Sequence, residues 1–147
     1  MRNAEFGIRN AERPQAMSEP DLKKRTKAFA LRILKLADAL PKTTAGRAPS
    51  SQIVRSGTSA AANYRAACCA KSTADFIAKM GIVEEEGDET LFWLELPEES
   101  ELVTAAKLSA IKQEANELIA ITVASIKTAR RNRSPDSAFP TPNSAIL

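Results

Sequence analysis

The 147-residue sequence contains no histidine, and its only two cysteines, Cys68 and Cys69, are neighbours in the chain. Catalytic triads, most zinc sites and the usual acid–base switch near neutral pH depend on histidine, so these forms of chemistry are excluded. Two adjacent cysteines form neither a disulfide framework nor a metal site, which indicates a reducing environment. We therefore expect a cytoplasmic protein with no metal and no cofactor.

Long apolar segments are absent as well. No apolar run approaches the roughly 20 residues of a membrane span. The N-terminal region carries charges throughout and lacks the apolar stretch of a signal peptide. We expect no contact with a membrane.

Glycine and aromatic residues are scarce, with 5 glycines and 5% aromatics, whereas apolar residues make up 44% of the chain. Alanine is the most frequent residue. Because alanine is the best helix former and aromatic and β-branched residues favour strands, this composition predicts an all-α protein with a real core.

Apolar residues recur at alternating steps of three and four in four segments, which is the spacing of a buried helical seam. Proline and hydroxyl residues mark the ends of these segments, with Pro41 closing the first and Pro97 the third. The pattern predicts an antiparallel up-down four-helix bundle. Its helices are expected at about residues 19–40, 49–71, 73–96 and 105–129.

The bundle domain is predicted to cover residues 17–131. Residues 1–16 contain a short repeat and a proline, and we interpret them as an unstructured extension, so that Met17 is an alternative to Met1 as the start. Residues 132–147 hold three prolines and no periodicity, which predicts a disordered tail.

Charge is unevenly distributed along the chain. Residues 1–80 have a balance of +9, residues 81–126 of −9 and residues 127–147 of +3, which gives the overall net charge of +3. This segregation indicates either electrostatic pairing between helices or subunits, or a basic face for nucleic acid. The two interpretations are compatible.

The basic side chains of the first two predicted helices are the candidates for nucleic-acid binding. Such binding would be dominated by phosphates, indifferent to sequence and strongly salt-dependent. No aromatic residues alternate with these cations, so base stacking is not expected. The alternative is a solvated basic face. The candidates are Lys23, Lys24, Arg25, Lys27, Arg32, Lys35, Arg47, Arg55 and Arg65.

Arg55, Ser59 and Asn63 form a row at steps of four on the second helix. One interpretation is a stripe that contacts RNA, and the other is a structural polar network with acidic residues of the third helix, Glu85, Glu86 and Glu89. The same acidic run raises the question of a metal-dependent enzyme. A di-iron bundle requires Glu-x-x-His motifs that this chain lacks, so we expect no enzymatic activity.

Two stretches carry a resemblance to a known family. The run from Gln52 to Arg65 (QIVRSGTSAAANYR) and the later run beginning at Asp75, with Phe92, Trp93 and Leu94, resemble four-helix-bundle proteins first found as open reading frames in intervening sequences of 23S ribosomal-RNA genes. The resemblance covers about residues 20–130. The sequence departs from the family pattern at Ala66, Cys69, Gly87 and Pro97.

The resemblance implies a homopentameric barrel of four-helix bundles whose molecular function is not established. A related branch, the accessory variability determinant of diversity-generating retroelements, binds nucleic acid and partners a reverse transcriptase. The implied partners are therefore a second copy of the chain, RNA or DNA, and a reverse transcriptase or ribosomal component. Phe92 and Trp93 are predicted to be core or subunit-interface anchors. The alternative function is a structural or protein-binding module that makes no contact with nucleic acid.

Overall fold

The computed structural model describes residues 17–133, and this part of the chain forms four α-helices and no strand. The predicted all-α class is thus confirmed. The predicted N-terminal extension and residues 134–147 of the predicted tail lie outside the described residues. The helices are α1 (Glu19–Ala39), α2 (Thr44–Cys68), α3 (Thr73–Glu99) and α4 (Ala105–Arg131).

Each helix packs against the next one in the chain, and α1 also meets α4 over a short stretch. Within residues 17–133, the backbones of the diagonal pairs, α1 with α3 and α2 with α4, do not approach each other in this way. This neighbour pattern is that of a four-helix bundle, in which every helix buries one face between two others.

The core consists of two clusters stacked along the bundle. One contains Phe29, Ile33, Ile53, Leu94 and Leu108, and the other is built from Leu22, Tyr64, Met80, Val83 and Ile126. All of these side chains come from positions at helical steps of three and four, so the apolar seam becomes the buried face of each helix.

The first helix begins as expected. Ser18 is its N-cap and accepts a hydrogen bond from the Asp21 amide at 3.4 Å, while Pro20 occupies the first turn, where no intrahelical donor is lost. The helix ends at Ala39, one residue before the predicted end, and Pro41 follows.

The second helix begins five residues earlier than predicted. Thr43 is the N-cap, and its hydroxyl oxygen accepts a hydrogen bond from the Gly46 amide at 3.2 Å. Pro49 therefore lies inside the helix, where it forfeits only one hydrogen bond and is itself buried. The helix ends at Cys68 rather than Lys71, because Ser72 must be extended to cap α3.

The third helix continues through Pro97, which the sequence predicted to end or kink it. Pro97 falls in the last turn, so it removes a single hydrogen bond, and the helix ends at Glu99. The carbonyl of Pro97 then accepts hydrogen bonds from the Leu102 and Val103 amides and so closes the connection to α4. Within this connection Glu101 has φ 59, in the left-handed region that favours glycine.

Gly57 lies at a close contact between α1 and α2. A Cβ at this position would lie 3.0 Å from Cγ1 of Ile33, a side chain that is fully buried. The absence of a side chain at Gly57 therefore lets Ile33 of α1 pack directly against the backbone of α2.

Candidate nucleic-acid interface

The exposed face of α1 carries four cations. Lys24, Lys27, Arg32 and Lys35 are all exposed, and within residues 17–133 none of them forms an ion pair or a side-chain hydrogen bond. Lys24, Lys27 and Lys35 stand on the side of α1 opposite its buried seam. Their ammonium groups are therefore available to an anionic partner.

Arg25, another candidate on α1, forms ion pairs with carboxylates of α4. Its guanidinium donates from Nε to Glu114 Oε1 at 2.7 Å and from Nη2 to Glu114 Oε2 at 2.9 Å, and it also contacts the Glu117 carboxylate. The hydrogen bond to Glu114 is the main reason that the pKa of Arg25 is raised, and Arg25 in turn lowers the pKa of Glu114. Arg25 thus ties α1 to α4 and is not a free phosphate contact.

Lys23 forms an ion pair as well, although a weak one. Its ammonium group lies 3.2 Å from the Glu19 carboxylate one turn earlier in α1, and both side chains are substantially exposed. Pairs of this kind are easily exchanged for a stronger partner, because water screens most of their attraction.

Arg55 bridges α2 and α3. Its Nη1 lies 3.2 Å from a Glu86 carboxylate oxygen, and its Nη2 contacts Glu89, which also accepts a hydrogen bond from Trp93 Nε1 at 3.3 Å. The hydrogen bond from Arg55 lowers the pKa of Glu89. The Arg55 side chain is 48% exposed, so this network lies at the surface rather than in a low-dielectric interior.

The rest of the predicted polar network does not join this bridge. Asn63 donates from Nδ2 to the Ser59 carbonyl at 2.9 Å and to its hydroxyl at 3.0 Å, so both residues interact within α2. Glu85 is exposed, and in the described part of the chain it has no ion-pair or hydrogen-bond partner.

Sequence patterns did not predict a buried polar contact that joins α2 to α3. The Thr90 hydroxyl donates to Ser56 Oγ at 2.8 Å, and both residues are fully buried. The only signal was that Thr90 occupies a seam position of α3 and that Ser56 precedes Gly57 in the seam of α2.

The outer side of α2 is basic and carries Arg47 and Arg65, both of which are exposed and without an ion-pair partner among residues 17–133. No acidic residue occurs anywhere in α2. Arg47 and Lys42 also line a concave surface of about 540 Å³ at the corner between α1 and α2. This corner adds two cations beyond the end of α1, beside the carboxylate of Asp38.

Phe92 and Trp93, the predicted anchors, face different surroundings. Their rings meet edge to face, with centroids 5.1 Å apart. Trp93 packs against the buried core, whereas Phe92 is 50% exposed at the outer side of α3. Trp93 therefore contributes to the core, and only Phe92 presents its ring to solvent.

One end of the bundle contains an open groove of about 1080 Å³ that the sequence did not predict. It is lined by the start of α1, the end of α2, the start of α3 and the end of α4, mainly with apolar side chains such as Leu22, Phe76 and Ile121. Tyr64 and Cys68 also line it, and burial raises the pKa of both groups.

Two other kinds of site are absent from residues 17–133. No grouping of three or more carboxylate or thiol side chains there could hold a metal ion. None of the four helices combines the length and the apolar character needed to cross a membrane.

The part of the chain that resembles known proteins is the helical region. The family described as 23S rRNA-intervening sequence protein matches residues 19–124. A crystal structure of a protein with unknown function from the S23 ribosomal protein family of Bacteroides thetaiotaomicron is 37% identical, with a TM-score of 0.70. The similarity covers 76% of this chain and 99% of that one. No curated protein matches the chain. The chain belongs to the family of 23S rRNA-intervening sequence proteins.

Proposed function

We propose that this protein is a non-enzymatic, homo-oligomeric four-helix bundle that binds RNA or DNA without sequence preference through the exposed cations of α1. The observation that carries the proposal is the set of four exposed and unpaired side chains on one helix, namely Lys24, Lys27, Arg32 and Lys35. Arg47 and Lys42 extend this surface at the corner with α2.

The binding mode follows from the kind of side chain. Lysine presents a point charge to phosphate oxygens and reads no base edge, so contacts of this kind position a nucleic acid without selecting its sequence. Each neutralised phosphate releases a counterion, and the affinity should therefore fall steeply as salt increases.

The assembly is part of the proposal. The helices run alternately up and down, which is supported by the groove that joins the starts of α1 and α3 to the ends of α2 and α4. The pentameric barrel comes from the family resemblance.

The setting and partners are proposed from the same resemblance. The family is named for the 23S rRNA intervening sequence, and an RNA is the nucleic-acid partner that we propose for this chain. A ribosomal component or a reverse transcriptase is the proposed protein partner, and the cytoplasm is the proposed location. Two free cysteines in the described chain are compatible with that location.

Fluorescence anisotropy with a labelled non-specific RNA tests the binding proposal. Lys27→Gln removes one free cation of the α1 face, so the slope of log K against log salt should decrease by about 0.7–0.9. At low salt the affinity should fall several-fold, because one phosphate contact is lost.

Lys107→Gln is the matched control, because Lys107 is an exposed lysine at the start of α4 and its loss changes the net charge equally. This variant should bind RNA like the wild type. Absence of RNA binding by the wild type at low salt, or equal losses in both variants, would contradict binding through α1.

A structural or protein-binding module without nucleic-acid contact is the second candidate. It is favoured by the apolar side chains on the outer side of α3, where Ile82 is 41% and Phe92 50% exposed. The anisotropy experiment separates the two functions, since this module would not bind RNA at any salt concentration.

A further inference from the structure

The open groove at one end of the bundle, which we call the end groove, has a volume of about 1080 Å³. Because α1 and α4 meet only over a short stretch, the groove remains between the start of α1 and the end of α4. Its lining is mainly apolar, with hydroxyl and amide side chains such as Thr128 and Asn132 among the apolar ones. Concave, mainly apolar surfaces with a few polar groups are typical of binding sites.

Two segments of this chain adjoin the end groove. Residues 1–16 lead to Met17, residues 134–147 follow shortly after Asn132, and both Met17 and Asn132 line the groove. Each segment is therefore tethered beside the groove, and a short tether keeps its effective concentration near the millimolar range. A tethered segment needs far fewer contacts to occupy the groove than a free partner does.

Charge distinguishes the two segments. Residues 1–16 carry five charged side chains, whereas residues 134–147 carry one, Asp136. Bringing a charged side chain onto an apolar surface is unfavourable unless the charge is paired. Residues 137–147 include Phe139 and Ile146 and contain no charged side chain. The apolar groove therefore favours the segment 134–147 over the segment 1–16.

The backbone of the segment 134–147 also suits an apolar groove. Its three prolines, Pro135, Pro140 and Pro142, disfavour a helix and favour an extended chain. A proline has no amide hydrogen, so each one removes a donor that an apolar surface would leave without a partner. The missing periodicity that predicts a disordered tail fits an extended segment in a groove equally well.

The length of the segment matches the length of the groove. Along α4 the lining extends from Asn132 back to Ile121, which is about 17 Å at 1.5 Å per residue. An extended chain covers about 3.3 Å per residue, so Phe139 can lie up to about 23 Å from Asn132. A segment that turns back along α4 can therefore bring the Phe139 ring to the lining side chains of Leu22 and Phe76.

We infer that the segment 134–147 docks in the end groove of its own chain, with Phe139 as the apolar anchor. This inference goes beyond the proposed function and requires neither the oligomer nor a nucleic acid, because the four free cations of α1 do not line the groove. A partner that uses the end groove must first displace the segment.

The two cysteines provide the readout. Cys68 lines the end groove, whereas Cys69 is exposed and is not part of the lining. In a full-length Cys69→Ser chain, the docked segment should protect the Cys68 thiol from a maleimide, and adding Phe139→Ser should increase the rate of modification several-fold. In a Cys68→Ser chain, Phe139→Ser should leave the rate at Cys69 unchanged.

Two control variants, both in the Cys69→Ser chain, separate docking from general effects. Phe139→Leu keeps a bulky apolar anchor and should retain most of the protection. Leu31→Ser removes an exposed apolar side chain of α1 that does not line the groove, so the rate at Cys68 should not change. Circular dichroism of each variant should show the helix content of the wild type.

Equal rates at Cys68 with Phe139 and with Phe139→Ser would overturn the inference. Protection that does not depend on Phe139 and grows with protein concentration would overturn it as well, because a second copy would then occupy the groove. A faster reaction that Leu31→Ser shares, or a loss in Phe139→Leu as complete as in Phe139→Ser, would also contradict it. RNA binding is tested separately with Lys27→Gln, since Lys27 does not line the groove.

Discussion

Two helical glycines, Gly57 and Gly87, differ in what surrounds them. A Cβ at Gly57 would press on Ile33, which is fully buried within the first core cluster. A Cβ at Gly87 would meet Ile119 at 3.0 Å, but Ile119 is only partly buried and borders a small apolar cavity of about 20 Å³. Ile33 therefore has no space into which it could shift, whereas Ile119 has the cavity beside it.

Opposite effects on stability are therefore expected from the same substitution. Gly57→Ala should lower the free energy of unfolding by up to about 2 kcal/mol, because overpacking costs more than helix propensity returns. Gly87→Ala should raise it by up to about 1 kcal/mol, since Ile119 can shift into the cavity while the helix becomes stiffer. Urea unfolding at fixed protein concentration measures both.

Gly81→Ala calibrates these values, because a Cβ at Gly81 meets no atom within 4 Å. Its effect reports helix propensity alone, about 1 kcal/mol of stabilisation. A loss of stability in Gly87→Ala comparable to that in Gly57→Ala would show that Ile119 cannot move.

The connection between α3 and α4 contains the one non-glycine residue with positive φ in the described chain, Glu101. An L-residue in this conformation is less stable by roughly 1–2 kcal/mol than in the right-handed region. Glycine relieves this cost, but its greater entropy in the unfolded chain cancels part of the gain.

Glu101→Gly is accordingly expected to raise the free energy of unfolding by about 0.5–1 kcal/mol and the melting temperature by a few degrees. Differential scanning calorimetry measures the change. Glu99→Gly is the matched control, because this exposed residue is helical and should lose stability instead. A lower melting temperature in Glu101→Gly would contradict the argument.

At the scale of the whole molecule, the bundle closes through α1 and α4, which meet over a shorter stretch than any other neighbouring pair. The bidentate pair of Arg25 and Glu114 lies at this seam, with side chains 23% and 19% exposed. Arg25 lowers the pKa of Glu114. This carboxylate therefore contributes stability above its ordinary pKa of about 4.3, and the contribution disappears as the pH falls through the lower folded value.

Glu114→Gln should reduce the free energy of unfolding at pH 7 by about 1–2 kcal/mol, since it leaves Arg25 with Glu117 alone. The difference from the wild type should shrink as the pH is lowered from 7 into the acid range, because the wild-type carboxylate is protonated there, below its ordinary pKa. Urea unfolding across this pH range, at constant protein concentration, provides the measurement.

Glu19→Gln removes the exposed pair with Lys23 and should change stability by no more than about 0.5 kcal/mol. A difference between Glu114→Gln and the wild type that does not shrink as the pH is lowered would show that the charge of Glu114 does not act through Arg25.

The sequence by itself determined the helices and the family. The apolar repeat at steps of three and four acts within one helix, so it identified the buried faces, including Phe29, Ile33 and Leu94, without knowledge of any neighbour. Its errors were at helix ends, where Pro49 and Pro97 lie inside helices because each removes only one hydrogen bond.

Only the tertiary structure decided which cations are free. Arg25 and Lys27 look alike in the sequence, yet the first is held by Glu114 and Glu117 of α4, and the second points to solvent. The Ser56–Thr90 contact and the bridge from Arg55 to α3 likewise join residues more than 30 positions apart. Such pairs depend on how the helices lie against one another, and no pattern within a single helix contains that information.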